Sequence, residues 1–266
     1  MSLTIAHGPL AWNPSASNYQ LDGPENRLFG HPFPRRVRAL FAGLVVVDSI
    51  AAKLLHESER LPQLFIPRTD IRADLLRSSP RREHDPFKGD AGFESVKVGD
   101  RVAEDAVWSY RRLNEQVGWL SGHVGVSWSA MDSWFDEDEE VFGEIRDPYH
   151  RVDIRHTSRH VCVTAAGVEI AETRRALLVS ETGLPNRFYI PADDVRSDIL
   201  RPSATHTICP YKGTASYRTL QLSDKVVEDA AWFYDDPLPE TRQIAGYLCF
   251  LGDEMRTSVD GAVIDS

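Results

Sequence analysis

A chain of 266 residues that is 42% hydrophobic and 26% charged has the composition of a soluble globular protein, not that of a disordered or fibrous one. Its formal charge of −10 at pH 7 argues against a general nucleic-acid binder, which needs concentrated Lys and Arg to meet phosphates. No apolar stretch approaches the length that spans a bilayer, and Met1 to Asn13 lacks the basic start and apolar run of a secretory signal, so a cytoplasmic location is expected.

Residues 1–23, rich in Pro, Ser, Asn and Gly, read as an irregular N-terminal extension. Val37 to Val47 and Val161 to Ile170 are β-branched runs broken by Gly43 and Gly167, which predicts strand, turn, strand in both places. Further strands are predicted to end at Ile66-Pro67 and Ile190-Pro191, because proline cannot donate to a central ladder. Asp70 to Leu76 and Asp194 to Leu200 follow a proline and begin with an acid, so each predicts one helical turn. Phe93 to Val98 and Tyr217 to Leu222 alternate with the period of a half-buried strand. Strands carrying Trp108 and Trp232 come next, then a short helix over Leu238 to Ile244, with a weaker one over Asn114 to Trp119. Gly122 to Trp128 and Gly246 to Leu251 close the series as strands. The acidic run Asp136 to Glu140 is read as part of a solvated linker.

These landmarks come in pairs. Lys212 and Lys88, Arg196 and Arg72, and Trp232 and Trp108 are all separated by 124 residues, which identifies a duplication. The organisation it predicts is an extension over 1–23, a first repeat over 24–136, an acidic linker over 137–147 and a second repeat over 148–266. Two repeats in one chain can stand in for a homodimer of single domains, so a monomer acting as an internal pseudo-dimer is expected. From Ile66 to Tyr110, nineteen of forty-five residues are identical to those 124 positions later, and many of them are not core types. Asp70/Asp194, Arg72/Arg196, Lys88/Lys212, Asp105/Asp229, Trp108/Trp232 and Tyr110/Tyr234 are in this set, with Arg27/Arg151 and Glu57/Glu181 outside the window. A bare scaffold would let surface charges drift, so these charges need partners or a ligand.

The string Phe188-Tyr189-Ile190-Pro191, Asp194-Val195-Arg196, Cys209-Pro210-Tyr211-Lys212-Gly213, Asp229-Ala230-Ala231-Trp232, Ile244-Ala245-Gly246-Tyr247 and Val259-Asp260-Gly261 resembles the family called domain of unknown function 427, and a looser copy begins near Pro24. The resemblance implies a mainly β chain: two tandem β-tent-like domains of antiparallel sheet, of the type shared with the cereblon ligand-binding domain and methionine sulfoxide reductase B, with short helices. It implies no settled activity. A nucleotidyltransferase label attached to the family would call for carboxylates around two magnesium ions beside a Gly-Ser turn, and Asp136-Glu137-Asp138 has no such turn before it.

Two readings of the retained residues compete. In one, the Asp/Arg pairs and the Lys-Gly turn only fix loops. In the other, Arg151, Asp194, Arg196, Tyr211, Lys212, Trp232 and Tyr234, with Arg72, Lys88 and Trp108 in the first copy, line pockets for an anionic or aromatic small molecule, the second half holding the better site. Cys209 is the candidate nucleophile of a rival thiol enzyme, with Lys212 three residues on to favour the thiolate, although its counterpart is Asp85. A structural or assembly protein is the third reading. Cys162, Cys209 and Cys249 all lie in the second half, which predicts reduced thiols and no disulfide framework. The pattern calls for no metal and no cofactor: there are no paired Cys-x-x-Cys motifs, and His156 and His160 face Pro32 and Arg36 in the other copy.

Overall fold

A computed structural model describes residues 3–15, 23–223 and 225–264. The chain divides into two compact units, Met1–Asp147 and Pro148–Ser266. The first unit contains β1 (Leu28–Pro32), β2 (Val37–Phe41), β3 (Leu44–Ser49), β4 (Lys53–Glu57), β5 (Gln63–Pro67), β6 (Leu76–Asp85), β7 (Gly89–Val98), β8 (Arg101–Leu113), β9 (His123–Val126), β10 (Ser133–Asp136) and β11 (Glu139–Val141). They form two antiparallel sheets, with strand orders β1-β4-β5-β9-β8-β7-β6 and β11-β10-β2-β3. The second unit contains β12 (Val152–His156), β13 (Val161–Ala165), β14 (Val168–Thr173), β15 (Leu177–Glu181), β16 (Arg187–Pro191), β17 (Leu200–Cys209), β18 (Gly213–Gln221), β19 (Val226–Tyr234), β20 (Tyr247–Phe250), β21 (Met255–Val259) and β22 (Ala262–Ile264). Its sheets, β12-β15-β16-β20-β19-β18-β17 and β14-β13-β21-β22, repeat the first unit strand for strand. The chain is mainly β, built of tandem antiparallel domains.

The period of two along each strand separates two apolar layers. In β16, Phe188 and Ile190 join the core between the two sheets, whereas Tyr189 joins a second cluster with Val179, Tyr234, Ile244 and Cys249 that contains nothing from the smaller sheet. The larger sheet therefore has an inner face packed on the smaller sheet and an outer face partly covered by the short 3-10 helix Pro239–Ile244. The first unit is built alike, with Leu55, Phe65, Val117 and Leu120 on the outer face under Glu115–Leu120.

Several expectations need revision. The acidic run is no linker, because Asp136 and Glu139 pair across the β10–β11 hairpin of the first unit. Arg35 and Arg38 bond Asp136 and Asp138 there, which lets neighbouring carboxylates share a tight turn. Each predicted helical turn is instead a pair of separate 3-10 turns, Arg68–Asp70 with Ala73–Leu75 and Ala192–Asp194 with Ser197–Ile199. The acids Asp70 and Asp194 do not cap them but accept hydrogen bonds from Ser49 and Thr173 on the smaller sheet. Strands β6 and β17 had no alternating signature to find, being mostly exposed edge strands, and their proline is accommodated where the register slips, between Ser78 and Arg82 or between Pro202 and His206.

The N-terminal segment is tied to the first unit: the Glu59 N–H donates to the Thr4 carbonyl at 2.8 Å, Arg27 Nη1 donates to the Ala11 carbonyl at 2.7 Å, and Ala11 is fully buried. Residues 16–22 of that extension lie outside the described residues. No described helix is long and apolar enough to cross a membrane.

Candidate functional site

The Lys-Gly motif is the hairpin turn joining β6 to β7 and β17 to β18. Gly89 has φ +109°, and a Cβ there would lie 1.8 Å from the Arg112 carbonyl oxygen, so only glycine fits. Asp85 accepts the backbone N–H groups of Phe87 and Lys88, both at 2.9 Å. Cys209 holds the equivalent place in the second unit, so its counterpart is a turn-forming acid and not a reactive group. The turn aims the lysine onto the outer face. Lys88 Nζ lies 2.7 Å from Glu57 Oε2, and Lys212 bonds Glu181, which also takes His150 at 3.5 Å. Burial alone would raise the Glu181 carboxyl, but hydrogen bonding from His150 and the Lys212 charge hold it down at about 2. Tyr211 packs against the His150 ring at 4.2 Å.

The retained residues form two separate groups. Glu181 and Lys212 sit at the start of β16, since Val179 pairs with Arg187, whereas Asp194 and Arg196 follow its other end. A five-residue strand separates them by about 16 Å. Arg196 and Arg72 bond Asp198 and Asp74 two residues on, in exposed pairs, and Arg151 bonds Asp153 in the same way. Asp194 is held by Thr173 and Arg175, and hydrogen bonding to Arg175 draws its carboxyl below the ordinary value. Another retained pair, Asp105 and Asp229, adopts φ 52° within the bulges of β8 and β19, a backbone conformation that Asp tolerates better than most residues.

Trp232 and Tyr234 lie on the outer face. The Trp232 indole N–H donates to the Tyr189 hydroxyl at 3.0 Å, and burial raises the Tyr189 and Tyr234 hydroxyls so that they stay protonated. Cys249 pairs with both Tyr189 and Trp232 and is fully enclosed, which pushes its thiol up to about 12. In the first unit Phe65 and Gly125 replace Tyr189 and Cys249. A Cβ on Gly125 would lie 2.2 Å from the Trp108 ring, so the missing side chain is what lets that indole lie against β9. The Trp108 indole N–H has no hydrogen-bond partner among the described residues.

Beside Trp108 the first unit opens a pocket of about 440 Å³, lined by Arg60, Gln63, Trp108, Trp128, Trp134 and Glu144, among others. Trp128 and Trp134 stack with ring centroids 4.5 Å apart and planes 6° apart, and the Trp134 N–H donates to the Trp128 carbonyl at 3.0 Å. Trp134 is 3% exposed and Trp128 is half-buried, so the accessible end of the stack is Trp128. The guanidinium of Arg60, 63% exposed, approaches Glu57 only to 3.6 Å, because Lys88 and Asn26 already hold that carboxylate. Comparing the two halves could not have found Trp128 and Trp134, since Gly252 and Ser258 stand 124 residues later.

All three cysteines are free, and Lys212 is engaged by Glu181, so the cation invoked for a Cys209 thiolate already has a carboxylate partner. Among the described residues no three His, Cys, Asp or Glu side chains group as metal ligands.

Taken together, these elements define a tandem β protein, each half a pair of antiparallel sheets with a buried Lys–Glu pair on the outer face of the larger. The chain belongs to the family described as domain of unknown function (DUF427), NTP_transf_9, whose match covers residues 30–137 and 153–261. No curated protein matches it. Asp136 and Asp138, the acids nearest to the chemistry of that label, are bonded to arginines.

Proposed function

We propose that the protein is a cytoplasmic small-molecule binding module whose first unit takes a planar aromatic ligand in the pocket bounded by Trp108, Trp128 and Trp134. The observation that carries this reading is the convergence of three indoles on one pocket of about 440 Å³, within the range of small-ligand sites. A flat ring extends the Trp128–Trp134 stack, and such contacts contribute about 0.5–1.5 kcal/mol beyond area burial. The Trp108 N–H and the Gln63 amide supply directional hydrogen bonds, and Arg60 at the rim favours a ligand bearing an anionic group. Three free cysteines accord with a reducing compartment.

A thermal-shift panel tests the reading, with indole, quinoline and indole-3-carboxylate as planar probes and pentanoate as the acyclic control. Planar probes are expected to raise the melting temperature of the wild type and not of Trp108→Ala. A panel in which no planar probe stabilises the wild type, or in which Trp108→Ala responds equally, contradicts it.

A further inference from the structure

Arg187 occupies in the second unit the position that Gln63 occupies in the first, and both it and Trp232 correspond to residues that line the first unit's pocket. The guanidinium of Arg187 makes no hydrogen bond or ion pair with any described residue, and its Nη1 is buried without a partner. Arg27 and Arg38 also have a buried nitrogen without a partner, but each bonds elsewhere through the rest of its guanidinium. Arg187 as a whole is half-buried, but an enclosed N–H donor left unmet is costly, and proteins meet that cost with an acceptor. Among the described residues no acid bonds it, and Glu181, on the neighbouring strand β15, is held by Lys212 and His150. Around Arg187 the outer face is aromatic, with Tyr189 two residues on and Trp232 bonded to it.

We infer that Arg187, with the half-buried Trp232 held nearby by the buried Tyr189, forms an anion subsite in the second unit that takes the carboxylate of a small aromatic acid. The planar guanidinium matches a carboxylate through two parallel N–H···O bonds. The duplication has thus given one location two preferences, Gln63 for a neutral polar group and Arg187 for an anion. This inference uses the first unit's pocket only to locate the equivalent surface, and the two readings can fail independently.

Calorimetric titration with benzoate, and in parallel with inorganic phosphate, tests it on the wild type, Arg187→Gln, Arg187→Lys and Trp108→Ala. Arg187→Gln installs the residue that the first unit carries at this position, so the fold should accept it with its ligand-free melting temperature retained. Benzoate is expected to bind the wild type at least about tenfold more tightly than Arg187→Gln, as for loss of a hydrogen bond to a charged group. Arg187→Lys should keep part of the affinity, and the loss caused by Arg187→Gln should persist in the Trp108→Ala background, which removes the first unit's own aromatic pocket. Phosphate bound in an Arg187-dependent way also supports an anion subsite and widens its ligands to other oxyanions. Equal benzoate affinity in the wild type and Arg187→Gln, or no binding of either probe to the wild type, overturns the inference.

Discussion

Lys88 and Glu57 meet with Nζ 2.7 Å from Oε2, in side chains only 3% and 5% exposed, and 124 residues later Lys212 and Glu181 repeat the pairing. Removing Lys88 alone strands the buried Glu57 carboxylate, whereas removing both leaves only Asp85, the other acid on Lys88 at 2.7 Å, which is 22% exposed. Lys88→Met is expected to cost about 3 kcal/mol, and the double variant Glu57→Leu with Lys88→Met to recover most of that loss. Urea unfolding of the three proteins measures the difference. Additive losses would show that the pair is not coupled.

The second pair gives the fold an acid-sensitive point. The Glu181 carboxyl is depressed from an ordinary 4.5 to about 2, so its contribution is fully present above about pH 4.5 and is lost as pH falls toward 2. That gap corresponds to about 3 kcal/mol. Unfolding midpoints at pH 7 and pH 3 should show wild type losing more stability than Glu181→Gln, and parallel losses would assign the acid sensitivity to other groups.

Trp108 needs a glycine beneath it. Gly125→Cys would place a side chain where the indole lies and is expected to cost about 1–3 kcal/mol. Adding Phe65→Tyr supplies the hydroxyl that Trp232 uses in the other unit, so the double variant should regain part of the loss. Melting temperatures compare the two, and no recovery would mean that the indole cannot adopt the second unit's arrangement.

Much of this fold was legible in the sequence because the duplication acts as its own comparison. The Gly43 and Gly167 hairpins, the strands ending at Pro67 and Pro191 and the short helix from Pro239 all follow from local chemistry. The edge strands β6 and β17 were not legible, since an exposed edge needs no apolar alternation. For the site, retention identified Lys212, Glu181 and Trp232 but could not distinguish a buried ion pair from a binding group. Retention is also blind to what only one copy has, and Trp128, Trp134 and Arg187 diverge from Gly252, Ser258 and Gln63.

The bulge at Asp105 gives a separate test of why that residue is retained. At φ 52° a β-branched side chain is strained, so Asp105→Val is expected to cost about 2 kcal/mol and Asp105→Asn less than about 0.5. Urea unfolding distinguishes this backbone role from a charge-dependent one, in which the asparagine variant would lose as much as the valine.

The six tryptophan indole N–H resonances in a ¹⁵N-labelled sample report the pocket most directly. Titration with quinoline is expected to move the signals of Trp108, Trp128 and Trp134 and to leave those of Trp12, Trp119 and Trp232 in place. Uniform small shifts across all six, or movement confined to Trp12, Trp119 and Trp232, would contradict a ligand pocket in the first unit.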